Sequence, residues 1–273
     1  MLRTAQLIYG ILAATFLLLP ILAIMPLAFT DSVFLTYPIP QYSTRWFRAL
    51  WEMPQWYNSI LNSLIIGLGA TVVSVILGTA ASLGLRHSRV PFPNVVRTVF
   101  LLPMVVPAVV LGVGLQISLA RIGLASTYPG VILAHSVLCV PFVIVSVSTA
   151  LQGINPAMER AAASLGAPPW KVFQRVTLPL AKPGIATGAV FAFATSLDEV
   201  VLTLFVAGPP QRTLARQMFA SIRENISPAV ASAAFVLIVG TLTLALLAAL
   251  LRRREAVPAS SSGAAPGDQL VTE

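Results

Sequence analysis

Long apolar runs alternate with short polar connections along this chain. Six runs stand out, at about residues 7–29, 59–85, 99–119, 130–151, 184–207 and 229–251. A helix needs roughly 18 or more apolar residues to cross a hydrocarbon core of about 30 Å, and each run reaches that length. The pattern predicts an all-α, polytopic integral membrane protein: a bundle of about six transmembrane helices. The first run is too long for a signal-peptide core and carries Pro20 and Pro26, so a retained first helix is expected.

The connections differ in character. Residues 31–58 are rich in Trp, Tyr and Pro, as suits a segment lying at a membrane surface. Residues 86–97 are short and basic, residues 121–129 make a tight turn, and 152–183 and 208–228 are the longer loops. From Arg252 onward the composition shifts to Ala, Pro, Ser and Gly, which predicts a disordered tail. Three parts follow: 1–57 with the first helix and an external loop, a membrane core over 58–251, and a cytoplasmic tail over 252–273. Within the spans, small residues pair at four-residue spacing: Gly10 with Ala14, Gly78 with Ser82, and Gly184 with Gly188. Such pairs let helices approach closely in lipid.

Composition agrees with the pattern. Hydrophobic residues make up 57% of the 273 and charged residues 10%, whereas soluble domains carry about 25% charged. The net charge of +8 would raise nucleic acid in a soluble protein. Here the basic residues sit at helix ends and do not interleave with aromatics, so no nucleic-acid partner is expected. With the N-terminus inside, eleven of the seventeen Lys and Arg residues fall on the cytoplasmic side and six outside, which places both termini of an inner-membrane protein in the cytoplasm. The single Cys139 excludes an internal disulfide, and His87 and His135 have no ligand-spaced neighbours. No cofactor, metal or catalytic residue is expected.

The loop at 152–183, inside by this count, carries a short helix with defined ends. Asn155 can cap it, Pro156 suits its first turn, and Gly166 suits a left-handed residue just beyond its end. Pro168 and Pro169 then break the chain, and a second short helix is expected over 170–178, stopped at Pro179. Ala161, Ala162 and Leu165 share one side of the first helix and make a slim knob, with Glu159 or Arg160 free to pair at its rim. An alanine face offers little apolar area to a bilayer, so docking onto a partner protein fits this helix better than lying on lipid. Lys171, Arg175 and Lys182 fit lipid headgroups equally well on the second helix.

These residues resemble the cytoplasmic "EAA" loop of permease subunits of bacterial binding-protein-dependent ABC importers. The family pattern is Glu-Ala-Ala, three residues, Gly, nine residues, then Ile/Val-x-Leu-Pro. Ala161, Ala162, Gly166, Val176, Leu178 and Pro179 fall in register, while Arg160 occupies the glutamate position and Glu159 lies one residue earlier. Either side chain is open as the polar contact to an ATPase. The stretches 193–209, 213–214 and 221–228 resemble spermidine/putrescine permeases of this family, and Asn62-Ser63-Leu64 is typical of it. The resemblance covers about residues 46–254. It implies a type I importer fold and half of a translocation channel. The implied partners are a second homologous permease, a cytosolic ABC ATPase dimer and an external substrate-binding protein.

Asp198 and Glu199 are the only acidic residues inside a predicted span. Counted from Gly184 at about 1.5 Å per residue, they sit roughly 20 Å up the helix, in its outer third. Ionisable groups at such depth usually face a cavity or a partner. With the hydroxyls of Thr195, Ser196 and Thr203 nearby, the pair is a candidate way-station for a cationic substrate such as a polyamine. A salt bridge to a partner's arginine is the alternative, since adjacent helical residues point about 100° apart. A stand-alone secondary transporter would need coupling-ion sites near the midplane and repeated halves. An intramembrane enzyme would need midplane aspartates, His-Glu-x-x-His or Gly-x-Ser-x-Gly, all absent from the sequence. No Gly-x-x-x-x-Gly-Lys-[Ser/Thr] occurs either, so energy is expected from another subunit.

Overall fold

The computed structural model describes residues 2–86, 90–224 and 226–255. Along them run α1 (Leu2–Ile24), α2 (Arg45–Glu52), α3 (Pro54–Arg86), α4 (Pro93–Leu101), α5 (Ala108–Arg121) and α6 (Tyr128–Gln152). There follow α7 (Pro156–Ser164), α8 (Pro169–Val172), a π-helical turn (Phe173–Thr177), α9 (Leu178–Asp198), α10 (Val201–Val206), α11 (Leu214–Glu224) and α12 (Pro228–Glu255). Five helical stretches are long and apolar enough to cross a membrane: Arg3–Phe29, Pro54–Arg86, Tyr128–Gln152, Pro169–Asp198 and Pro228–Leu246. The sixth expected span is not one rod. Pro93–Met104 and Ala108–Arg121 meet at 98°. Pro103 and Pro107 bracket the corner; each removes a backbone donor and blocks helix continuation. His87, Arg89 and residues 256–273 of the expected tail lie outside the described residues.

The centre of the bundle is α3, α6 and α9, and α3 shows why. Its buried positions include Ser59, Asn62, Ser63, Ile66, Gly67, Ala70, Ser74, Gly78 and Ser82, a stripe of mostly small or polar residues recurring every three or four places. Its large aliphatic side chains (Leu64, Ile65, Leu68, Val72, Ile76, Leu77) point outward. That inversion suits lipid, where apolar side chains gain nothing by leaving the solvent and close backbone packing drives association. A methyl group on Gly78 would stand 2.7 Å from Val143, and one on Gly188 would stand 3.0 Å from the Val143 Cα. Val143 of α6 therefore fills the seam between α3 and α9. Hydroxyls bridge the same seams, Ser74 donating to the Ser136 carbonyl at 3.4 Å and Ser82 to that of Ile144 at 3.3 Å. Gly10, by contrast, meets nothing, and α1 leaves its faces uncovered by the rest of the chain.

A second packing centre joins the N-terminal segment to α12. Phe29, Phe47 and Phe235 stack with centroids 5.0–5.5 Å apart, and Ser232 donates to the Ala28 carbonyl at 2.9 Å. Trp46, expected in a surface segment, is buried, with Nε1 donating to the Ser32 carbonyl at 3.0 Å. The loop at 208–228 holds α11, which the sequence reading left without structure. Leu214, Ala215 and Gln217 line its buried side.

Candidate functional site

Two places carry the charged residues singled out in the sequence. The first is the loop helix α7. Asn155 caps it, Oδ1 accepting from the Ala157 N–H at 2.9 Å, and Pro156 occupies its first position. The chain leaves through Gly166 at φ +82°, a left-handed conformation that glycine adopts without a steric penalty. None of α7 is fully buried. Leu165 is 90% exposed, with Met158 and Trp170 also standing open nearby, and Ala161 is exposed while Ala162 is half-buried. The adjacent charges divide. Glu159 Oε1 accepts from Arg86 Nη1 at 2.7 Å and from the Thr177 hydroxyl at 2.6 Å, while Arg86 Nη2 also donates to the Ile154 carbonyl at 3.3 Å. Arg160 is exposed and has no ion pair among the described residues.

The expected second loop helix does not stop at Pro179. Pro169–Asp198 is one continuous helical stretch, passing through the π-turn at Phe173–Thr177. Pro179 falls within the first two positions of α9, where a missing N–H costs little.

The second place is the end of α9. One helix was expected over residues 184–207; instead the helix stops at Asp198, Glu199 turns to ψ 111°, and α10 begins at Val201. Here too the adjacent charges divide. Glu199 Oε1 accepts from the Leu202 N–H at 2.8 Å, capping the six-residue α10. At the other end of α10, Arg216 Nη1 donates to the Thr203 and Ala207 carbonyls at 3.2 and 2.9 Å. Acid at the N-terminus and base at the C-terminus complement the helix dipole. Asp198 is exposed and makes no hydrogen bond or ion pair among the described residues.

Ser196 and Thr203 are buried around His135, a ring for which no role was expected. The His135 ring lies 1% exposed on α6, with Nδ1 2.8 Å from Ser196 Oγ and Nε2 3.0 Å from Thr203 Oγ1. One imidazole thus ties α6 to both sides of the break. A lone polar ring in an apolar run was the available signal, but its partners are 61 and 68 residues away. Asn62 does comparable work farther along α3. It donates to the Pro210 and Arg212 carbonyls at 2.8 and 2.9 Å and accepts from the Tyr128 hydroxyl at 2.8 Å. Ser63 accepts from the Leu214 N–H at 2.8 Å.

Five long apolar helices, a bent sixth pair and a short loop helix between α6 and α9 make up, among the described residues, the helical bundle of a polytopic membrane protein. The family described as "Binding-protein-dependent transport system inner membrane component" matches residues 70–257, and the chain belongs to it. It is the permease subunit of an ABC importer. Similar curated proteins include the Escherichia coli (strain K12) putrescine transport system permease protein PotI, 33% identical over 80% of each chain. The spermidine/putrescine transport system permease protein PotC of the same strain is 26% identical over 78% of this chain and 80% of its own. The molybdenum transport system permease protein ModB of Mycobacterium bovis is 33% identical over 80% of this chain and 89% of its own. Among solved structures, a chain of a bacterial ABC transporter that imports the acidic polysaccharide alginate superposes with a TM-score of 0.73 at 21% identity, covering 94% of this chain and 96% of that one. The last likeness concerns the fold.

Proposed function

We propose that this permease forms half of a translocation pathway for a small cationic solute of the polyamine class. The observation that carries the reading is Asp198, an exposed carboxylate at a helix break whose side chain has no hydrogen bond or ion pair among the described residues. A free carboxylate facing lipid is costly, so it faces a water-filled path or a partner. Its charge favours cations. The similarity to PotI and PotC, whose names specify putrescine and spermidine/putrescine, supports the same class. Likeness to ModB, a molybdenum permease, favours a second reading in which the solute is an oxyanion and Asp198 pairs with an arginine of the second permease.

Around this path the assembly comprises a second homologous permease in the inner membrane, a cytosolic ABC ATPase dimer and an external substrate-binding protein, and both termini of this chain are cytoplasmic. ATP is hydrolysed on the ATPase. The docking surface is α7, where Arg160, Ala161, Ala162 and the exposed Leu165 meet the ATPase, Gly166 ends the helix and Glu159 braces it from behind. The deciding experiment is Asp198→Asn in the assembled importer. The cationic reading expects putrescine uptake to fall while the ATPase still co-purifies; unchanged putrescine uptake removes Asp198 from the path. Molybdate uptake by the wild-type importer in place of putrescine uptake selects the second reading.

A further inference from the structure

We infer that Arg86, Glu159 and Thr177 form a coupling clamp: they are positioning residues that bind the docking helix to both long core helices, so that an ATP-driven displacement of α7 moves α3 and α9 together. The inference rests on the proposal that α7 docks the ATPase.

The clamp joins three elements distant in sequence. Arg86 is the last residue of α3, Glu159 lies in the first turn of α7, and Thr177 closes the π-turn that leads into α9. One carboxylate oxygen receives both donors, at 2.7 Å from Arg86 and 2.6 Å from Thr177. Arg86 adds a bond to the Ile154 carbonyl, just before the Asn155 cap. The alternative attachment, apolar packing, is weak, since α7 has no fully buried residue. Among the described residues, Glu159 is thus the residue of α7 whose side chain is hydrogen-bonded to both Arg86 of α3 and Thr177 of the π-turn. Thr177 is itself buried, and the two charged side chains are 22% and 27% exposed, so the triad is shielded from water on most sides.

What the clamp holds extends to both sites. From Thr177, α9 runs 21 residues to Asp198, about 30 Å at 1.5 Å per residue, ending at the break. Along α3, Asn62 and Ser63 grip the 210–214 segment. The π-turn at the foot of α9 is a further observation of the same kind. Such turns sit in helices where the register can change, frequently at functional sites, and this one is fixed by Thr177 to the docking helix. A helix pushed at α7 thus acts on α9 at the place where α9 is least regular.

The test uses the complete importer in proteoliposomes, with a cysteine at Val200→Cys reporting on the break by its rate of thiol labelling with and without ATP plus vanadate. The native Cys139 is fully buried. In the otherwise wild-type complex the labelling rate is expected to differ between the two states by about fivefold or more. Glu159→Gln should leave the ATPase co-purifying at its usual ratio while abolishing that difference. Thr177→Ser should keep the difference and Thr177→Val reduce it. The charge exchange R86E/E159R re-forms the ion pair but not the donation to the Ile154 carbonyl, so it should restore part of the difference, which a general folding defect would not allow. An ATP-dependent labelling difference in Glu159→Gln equal to wild type overturns the clamp. So does loss of the ATPase from that variant alone, which would make Glu159 a docking contact. If the wild-type chain itself brings down no ATPase, the docking proposal falls first and takes the clamp with it.

Discussion

The α7 loop and the α9 break each contain two adjacent charged residues, and in each the fold uses one and leaves the other. Glu159 is held by Arg86 and Thr177 while Arg160 is exposed; Glu199 caps α10 while Asp198 is exposed. The engaged member is a glutamate both times. The two sites differ in what the engagement fixes. At the loop it joins distant elements, 73 residues apart for Arg86 and Glu159. At the break it is local, three residues from carboxylate to amide. A charged pair in a membrane protein therefore holds two kinds of residue, and their solvent-facing partners are the candidates for external contact.

The comparison can be broken at its strongest point first. Removing His135, which ties α6 to both sides of the break, takes one partner from each of the buried Ser196 and Thr203 hydroxyls and leaves a void; Thr203 still donates to the Glu199 carbonyl. His135→Ala should lower stability in detergent by about 3 kcal/mol, measured as a downward shift in the unfolding midpoint. Asp198→Asn should leave that midpoint in place and reduce uptake by one order of magnitude or more, about 1.4 kcal/mol or above in transition-state terms; a stability loss there would show that Asp198 is engaged after all. At the loop, Leu165→Asp should weaken co-purification of the ATPase by roughly tenfold with the chain still folded. The smallest effect is expected at Glu199→Ala, which removes one helix cap and should cost about 1 kcal/mol with uptake largely retained. If Glu199→Ala abolishes uptake and Asp198→Asn does not, the roles within that pair are exchanged.

Local features were legible in the sequence; distant ones were not. Asn155, Pro156 and Gly166 mark the ends of α7 within a dozen residues of each other, and the structure uses all three as expected. Apolar length located four of the long spans, those expected at 7–29, 59–85, 130–151 and 229–251, while the one expected over 184–207 lies at Pro169–Asp198. The break after Asp198 carries neither proline nor glycine, so nothing in the local pattern signalled it; it is held by Arg216, Ser196, Thr203 and His135 acting together. The corner at Pro103 and Pro107 was signalled, but hydropathy averaged over the window hid it. Pro179 misled in the opposite direction, because a proline at the start of one helix segment looks the same in sequence as one ending another. In α11, Leu214, Met218 and Ile222 repeat at four-residue spacing, a helical signal overlooked in a stretch treated as loop.

Val143 offers a different kind of consequence. Because Gly78 presses it from one side and Gly188 from the other, its width acts as a shim between two seams. Lengthening it would press on α3 and α9 together, whereas a shorter side chain would leave Gly188 still stopped by the Val143 Cα. The bundle at that level can thus be widened through one side chain, with no change to any charged residue.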